Sequence, residues 1–465
     1  MNRFTLQLEE IKAAYAAEPN PSLELRLERI GRIEKMISLN EEKICKALMA
    51  DFGVRNPIES RLVEFQMVYQ ACKYTRKHLK EWMKPSYVGT PFFMGASHAS
   101  IQTQSIGVVG IMSPWNYPIQ LALVPAIAAL AAGNRVWLKP SERSSRTSGF
   151  LANLIQENFH PSEFAVTTGG LEVAESFAAL PFNHLFFTGS EYIGKKVMRA
   201  AADHLTPVTL ELGGKSPAMI DPGANLKEAA ASIIYGKLLN CGQTCIAPDY
   251  VLISQGNRDR FIQELQSTAQ KQFSKPLELT GPIDDAQLVR WERLVSDATE
   301  RGAKVIPLIA TDQSQSIPFI PVALIDTPGD ALIFEEEIFG PILPIVTVSD
   351  TAAAIEYVNQ RPNPLALYWF GTDKTNMRRV LAETRSGGVT INDTLLHVAV
   401  EGLPFGGVGN SGMGAYHGKA GYDTFSHAKS VLEVSGFFGT SRFSGTKLVR
   451  PPYGPVVKRL LRWLK

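Results

Sequence analysis

A chain of 465 residues is too long for one simple core, and its 45% hydrophobic, 20% charged composition excludes a disordered or fibrous protein, so a globular protein of two or three lobes is expected. Four cysteines (Cys45, Cys72, Cys241 and Cys245) are too few for a disulfide framework at this length, and the acidic start does not read as an export signal, so a reducing, cytoplasmic setting is expected. The net charge of +2 hides an asymmetry: Arg442, Lys447, Arg450, Lys458, Arg459, Arg462 and Lys465 follow the last acid, Glu433, and leave a body of 40 basic against 45 acidic residues, which argues against nucleic-acid binding.

The first 82 residues read as helical over 6–17, 23–51 and 59–82, with Asn20-Pro21 and Asn56-Pro57 as breaks and no evident chemistry. Cys45 and Cys72 sit at helical positions and read as core or surface thiols. Residues 85–97 look like a boundary, and 98–104 alternate as a strand would. From Ile106 strands alternate with helices: strands at 106–111, 135–138, 164–167 and 184–187, and helices at 121–132, 145–158 and 193–202. Repeated βα units with short connections predict a doubly wound parallel sheet, which binds dinucleotides at the carboxyl ends of its strands. A second lobe begins near Val208, alternates strand and helix again, and runs to about Asn392. A glycine-rich loop at 402–414 and a late strand at 429–434 follow.

Three stretches carry candidate chemistry. A helix over 229–239 leads to Cys245, just past the bend Gly242-Gln-Thr, where small and polar neighbours leave a thiol accessible for nucleophilic attack. The plain alternative is a buried, inert cysteine. Phe187-Thr-Gly-Ser-Glu-Tyr-Ile-Gly194 follows a strand and opens a helix, a setting suited to a pyrophosphate as well as to an ordinary strand–helix turn. The fingerprint Gly407-Val-Gly-Asn-Ser-Gly412 lies outside any βαβ unit and reads as a flexible turn. The eight histidines show no metal-ligand spacing, so no metal is expected.

Seven words extend this reading: Pro114-Trp-Asn-Tyr-Pro118, Lys139-Pro-Ser-Glu142, Phe187-Thr-Gly-Ser190, Leu210-Glu-Leu-Gly-Gly-Lys215, Gly242-Gln-Thr-Cys245, Glu337-Ile-Phe-Gly-Pro341 and Pro404-Phe-Gly-Gly407. In this order and spacing the chain resembles the aldehyde dehydrogenase superfamily, most of all its class 3, fatty-aldehyde branch. The resemblance implies an α/β fold with three parts. These are an NAD(P)-binding domain (1–83 and 105–209), a catalytic domain (210–400) and a small β oligomerisation arm (84–104 and 415–440).

It also implies oxidation of a hydrophobic aldehyde, medium- or long-chain aliphatic, aromatic or isoprenoid, to the carboxylic acid. Cys245 would attack the aldehyde carbon, Asn116 and the Cys245 N–H would hold the oxyanion, and Glu211 would activate the water that hydrolyses the thioester. Lys139 and Glu142 would hold the adenosine ribose, with NAD preferred and NADP accepted. Trp115, Gly189, Ser190 and Gly194 would lie along the pyrophosphate, and Glu337 and Phe339 beside the nicotinamide ribose. Tyr117, residues 394–400 and the tail would shape an apolar substrate tunnel. A homodimer is implied as well.

Two further expectations come from the residues. Cys241, four positions before Cys245, reads as a small residue in a helix-end bend, or as a partner for a reversible disulfide with Cys245. The tail at 451–465 forms a basic amphipathic helix, suited either to an anionic membrane surface or to a lid over the substrate entrance. A cofactor-independent cysteine esterase is the rival reading, since Cys245, Asn116 and Glu211 could support it without the nucleotide words.

Overall fold

The structure, a computed structural model, describes residues 3–91, 97–273, 275, 278–310, 318–434 and 451–463. Of the basic tail, Arg442, Lys447, Arg450 and Lys465 lie outside the described residues. Helices Arg3–Ala17, Leu23–Ser38, Glu41–Phe52, Pro57–Ser60 and Gln66–Trp82 open the chain. The run expected over 23–51 is thus two helices, broken at Leu39-Asn40. Between Pro57–Ser60 and Gln66–Trp82 the backbone widens into a π-helical turn, Arg61–Phe65, a local irregularity often found near functional sites.

In chain order the strands are β1 (Ser86–Val88), β2 (His98–Ser105), β3 (Val108–Met112), β4 (Arg135–Lys139), β5 (Phe164–Val166), β6 (His184–Gly189) and β7 (Val208–Leu212). They continue with β8 (Pro217–Ile220), β9 (Tyr250–Ser254), β10 (Lys304–Pro307), β11 (Val322–Ile325), β12 (Ile342–Val348), β13 (Ala366–Phe370) and β14 (Gly388–Ile391), then β15 (Gly412–Met413) and β16 (Ser426–Glu433). A six-stranded sheet runs β15-β7-β6-β3-β4-β5, parallel except for the edge strand β15. A seven-stranded sheet runs β10-β11-β12-β9-β8-β13-β14, parallel except for β10. β1, β2 and β16 form a three-stranded antiparallel sheet with largely exposed strands. The α/β architecture with a small β arm is therefore present.

Sequence explains the layering. Every residue of β3 and β4 is buried, as expected of apolar strands covered on both faces by helices. The helix Gln120–Ala131 is buried from Leu121 to Ala131, so it serves as an inner helix rather than an amphipathic surface one. The expected boundary at 209/210 falls inside β7. All of β7 pairs with β6 in the six-stranded sheet, from Val208 opposite Leu185 to Leu212 opposite Gly189, so the chain changes sheets at Gly213-Gly214. The loop 407–412, expected to be a flexible turn, is tightly wrapped. It ends in β15, with Gly412 opposite Glu211, and at Gly407 and Gly412 an added Cβ would strike backbone oxygens.

Candidate active site

The helix Leu226–Leu238 stops in a turn of unusual hand. Asn240 (φ 50, ψ 32) and Cys241 (φ 54, ψ 34) are left-handed, and Gly242 (φ 73) follows them. Two non-glycine residues in that region cost about 1–3 kcal/mol each, so the surroundings must hold them. The Asn240 side-chain amide donates to the carbonyls of Asn116 (3.0 Å) and Gln243 (3.1 Å). Buried Gln243 donates from Nε2 to the carbonyls of Asn240 and Gly281, both at 3.0 Å, and accepts the Ile283 N–H at 3.1 Å. Only a glutamine-like amide could satisfy all three. The result is selective exposure: across residues 240–250 only Cys245 is not buried.

Cys241 does not share that environment. It packs with Trp291, Leu294 and Ile338 in one apolar cluster, while Cys245 lies against another. Both thiols are free. The turn thus separates the pair considered for a disulfide.

Cys245 lines a cavity of about 680 Å³ together with Asn116 and Glu211. The cavity lies where β6 and β7 end and where the loop after β3 begins, as expected of a doubly wound sheet. Glu211 is 2% exposed, and among the described residues neither of its carboxylate oxygens has a hydrogen-bond partner. Desolvation raises its pKa well above the ordinary carboxylate value. Desolvation also pushes the Cys245 thiol up to about 12, with the negative charges of Glu337 and Glu211 adding to it against backbone N–H donors. Asn116 donates from Nδ2 to the Gln243 carbonyl at 3.0 Å, which leaves its second amide hydrogen for another acceptor.

Along the same cavity lie Gly189, Ser190 and the start of the helix Glu191–Ala202, capped by Ser190 Oγ accepting from Ile193 N–H at 3.4 Å. The buried Thr188 hydroxyl beside them has no hydrogen-bond partner among the described residues. Trp115 meets Phe339 edge-on (5.4 Å between ring centres), and the Arg143 guanidinium sits 4.6 Å from the Trp115 ring. Arg143, which sequence reasoning passed over, also lines the cavity and pairs with Asp284 at 2.7 Å, tying the two sheet units together. Glu337 accepts the Gly214 N–H; burial raises it to about 8, helped by Asp249. At Gly213 an added Cβ would strike the Glu337 carboxylate.

Some expected residues stand elsewhere. Lys139 and Glu142 pair at 2.6 Å outside the cavity lining, and Gly194 packs against Leu212 rather than lining it. Tyr117 is buried, its hydroxyl bonded to that of Thr244 at 2.5 Å, so it supports the cysteine loop from behind and does not face the cavity. Residues 394–400 do not line it either; Leu396 and Val400 are half exposed. Apolar lining comes instead from Leu121, Phe334, Leu365, Phe405 and Tyr416. Phe405 and Tyr416 flank the wrapped turn 407–412: Phe405 belongs to the word Pro404–Gly407, to which sequence reasoning gave no site role, and Tyr416 to no quoted word.

The family model described as the aldehyde dehydrogenase family matches residues 8–431. The chain belongs to the aldehyde dehydrogenase family. It is 42% identical to a probable coniferyl aldehyde dehydrogenase of Pseudomonas aeruginosa, with 97% of this chain and 94% of that one aligned. It is 38% identical to the 4,4'-diaponeurosporen-aldehyde dehydrogenase of Staphylococcus aureus, with 100% of each chain aligned. A solved structure of Staphylococcus aureus AldH in a substrate-bound state superposes with a TM-score of 0.93 at 37% identity, covering 100% of both chains. The protein is an NAD(P)-dependent aldehyde dehydrogenase that oxidises an aldehyde, which sets the esterase reading aside. The cavity suits that cofactor: it offers a capped helix N-terminus reached through glycine, an orphaned threonine hydroxyl and close backbone at Gly213.

Proposed function

We propose that this aldehyde dehydrogenase converts a hydrophobic aldehyde to its acid at Cys245. The observation that carries the proposal is the half-buried thiol in one cavity with Asn116 and the partnerless Glu211. Cys245 gives its proton to solvent water as Sγ bonds to the carbonyl carbon, and the π pair of the carbonyl moves onto its oxygen, which gains negative charge. The free Asn116 amide hydrogen and the Cys245 backbone N–H receive that charge; one such donor is worth about 3 kcal/mol. Bound NAD(P) supplies a hydride acceptor, and the acyl group stays on Cys245 as a thioester. Glu211, once ionised, takes a proton from the water that attacks the thioester, and Cys245 leaves.

For the cofactor, Trp115, Gly189 and Ser190 form the pyrophosphate run, with Glu337 and Phe339 at the nicotinamide ribose, while Gly194 lets the helix that opens after Ser190 pack against Leu212. Lys139 and Glu142 hold the adenosine ribose, with NAD preferred and NADP accepted, because a carboxylate there accepts from ribose hydroxyls and repels a 2′-phosphate. The helices with the six-stranded sheet make the nucleotide lobe, and the seven-stranded sheet makes the catalytic lobe. The exposed three-stranded sheet is the surface for a homodimer.

The apolar lining by Leu121, Phe405 and Tyr416, and relatives named for coniferyl and diaponeurosporen aldehydes, support a conjugated aromatic or isoprenoid-like substrate, with long aliphatic aldehydes also accommodated. The test is NAD(P)H formation, followed by absorbance, across aldehydes of increasing apolar length with Cys245→Ala as control. Turnover should rise with apolar length and vanish in the variant. Equal turnover of acetaldehyde and long aldehydes would overturn the substrate class, and an active Cys245→Ala would overturn the mechanism.

A further inference from the structure

Behind Asn116, on the side away from the cavity, lies a fully buried ion pair that the reaction does not touch. Arg55 and Glu64 are both 0% exposed at the side chain, with Arg55 Nη2 donating to Glu64 Oε1 at 3.2 Å. Neither lines the cavity. Arg55 Nη1 donates to the main-chain carbonyl of Asn116 at 3.1 Å. Glu64 Oε2 accepts the backbone N–H groups of Ile119 (3.1 Å) and Gln120 (2.9 Å). Those are orphan donors at the start of the helix Gln120–Ala131, whose N-cap residue Ile119 has no side-chain cap of its own. One carboxylate from the π-helical turn therefore caps a helix 55 residues further along.

A buried ion pair is weak evidence for a stabilising role, because desolvation can exceed the attraction. This one carries an added cost, since Arg55 Nε has no hydrogen-bond partner among the described residues. The helix it caps is apolar and buried, so its packing would survive a neutral replacement. What the pair does specifically is grip both ends of a five-residue segment, by the carbonyl of Asn116 and by the N–H groups of Ile119 and Gln120. Glu59, on the preceding turn, accepts the backbone N–H of Asn240, in the left-handed turn before Cys245. One stretch of chain thus holds both the Asn116 loop and the cysteine loop.

We propose that Arg55 and Glu64 are positioning residues that fix the Asn116 amide against the oxyanion formed at Cys245. The proposal rests on the reading of Asn116 as an oxyanion donor. A displacement of about 1 Å in such a donor can cost 10²-fold in rate. A clasp on its backbone is therefore a direct lever on the first chemical step.

The test is a double-mutant cycle on the full-length enzyme, read by the first-turnover rate of NAD(P)H formation and by the KM for the cofactor. Glu64→Gln keeps the shape and one acceptor but removes the charge. It should slow the first turnover about 10–100-fold and leave the cofactor KM within about twofold. In an Asn116→Ala background the same change should cost less than about twofold, because the donor it positions is gone. Arg55→Lys, which keeps a charged donor, should recover part of the loss seen in Arg55→Met. Equal losses from Glu64→Gln in both backgrounds, or none in either, would overturn the inference. An Asn116→Ala enzyme as fast as the parent would instead overturn the reading of Asn116 itself.

Discussion

Glu211 holds two buried carboxylate oxygens with no hydrogen-bond partner among the described residues, and Cys245, in the same cavity, holds a thiol pushed up to about 12. Burial therefore favours the protonated form of both reacting groups. Because desolvation raises the Glu211 pKa, the fraction of active base grows as pH rises through that raised value, so steady-state turnover should climb with pH over that window. Glu211→Gln should lose the climb and slow turnover by about 10²–10⁴-fold, while a first-turnover burst of NAD(P)H persists. Absence of the burst would place Glu211 before hydride transfer. The same shift sets a stability trend. The folded state holds the proton more tightly than the unfolded chain, so ionisation penalises folding, and stability should fall as pH rises from the unfolded toward the folded pKa. The penalty should vanish in Glu211→Gln, read as unfolding midpoints at several pH values. At this scale the sequence words were informative: Cys245, Asn116 and Glu211 meet in one cavity. Arg55 and Glu64 were not legible, because they sit 61 and 55 residues from their partners, Arg55 between two expected helices and Glu64 within one, in a stretch that read as having no chemistry.

The turn 240–242 shows what one element contributes. Three consecutive left-handed residues let the helix Leu226–Leu238 stop abruptly and expose only Cys245 in the stretch that follows. Gly242 has φ +73, and an added Cβ would strike the Gly340 carbonyl, so Gly242→Ala combines strain with a clash. It should cost about 2–3 kcal/mol, measured as a lower urea midpoint with an unchanged m-value. Gly256→Ala, where nothing lies near the added carbon, should leave the midpoint in place. Helices with long apolar periodicity were legible in the sequence. The short helix Leu171–Ala178 was not, because its eight residues, set between Gly170 and Pro181, give too little pattern to read. The π-helical turn Arg61–Phe65 was equally hidden, since widening by one residue leaves no mark in composition. Tyr117 was misassigned because a motif fixes where the backbone goes, not which way each ring faces.

At the scale of the whole molecule, local alternation of strand and helix revealed two α/β halves but not their sheet orders, which depend on pairings across long stretches of chain. Among the described residues no helix is long and apolar enough to cross a membrane. The helix Pro455–Trp463 carries Lys458, Arg459 and Arg462 beside exposed Leu461, the composition of a surface-lying helix. Co-sedimentation with anionic vesicles should fall on truncation at Pro451 and weaken with salt. Unchanged binding would count against the membrane reading of the tail. The return of the chain has a consequence for synthesis. It leaves the six-stranded sheet at Leu212 and comes back only at Gly412, while β2 waits for β16, with Ser105 opposite Ser426. At about 5–20 residues per second, roughly 10–40 s of translation separate β7 from its edge partner. During that interval a nascent chain exposes two unpaired strand edges, the surfaces that chaperones shield and aggregates recruit. A chain released early at residue 400 would therefore be a sticky fragment rather than a smaller enzyme.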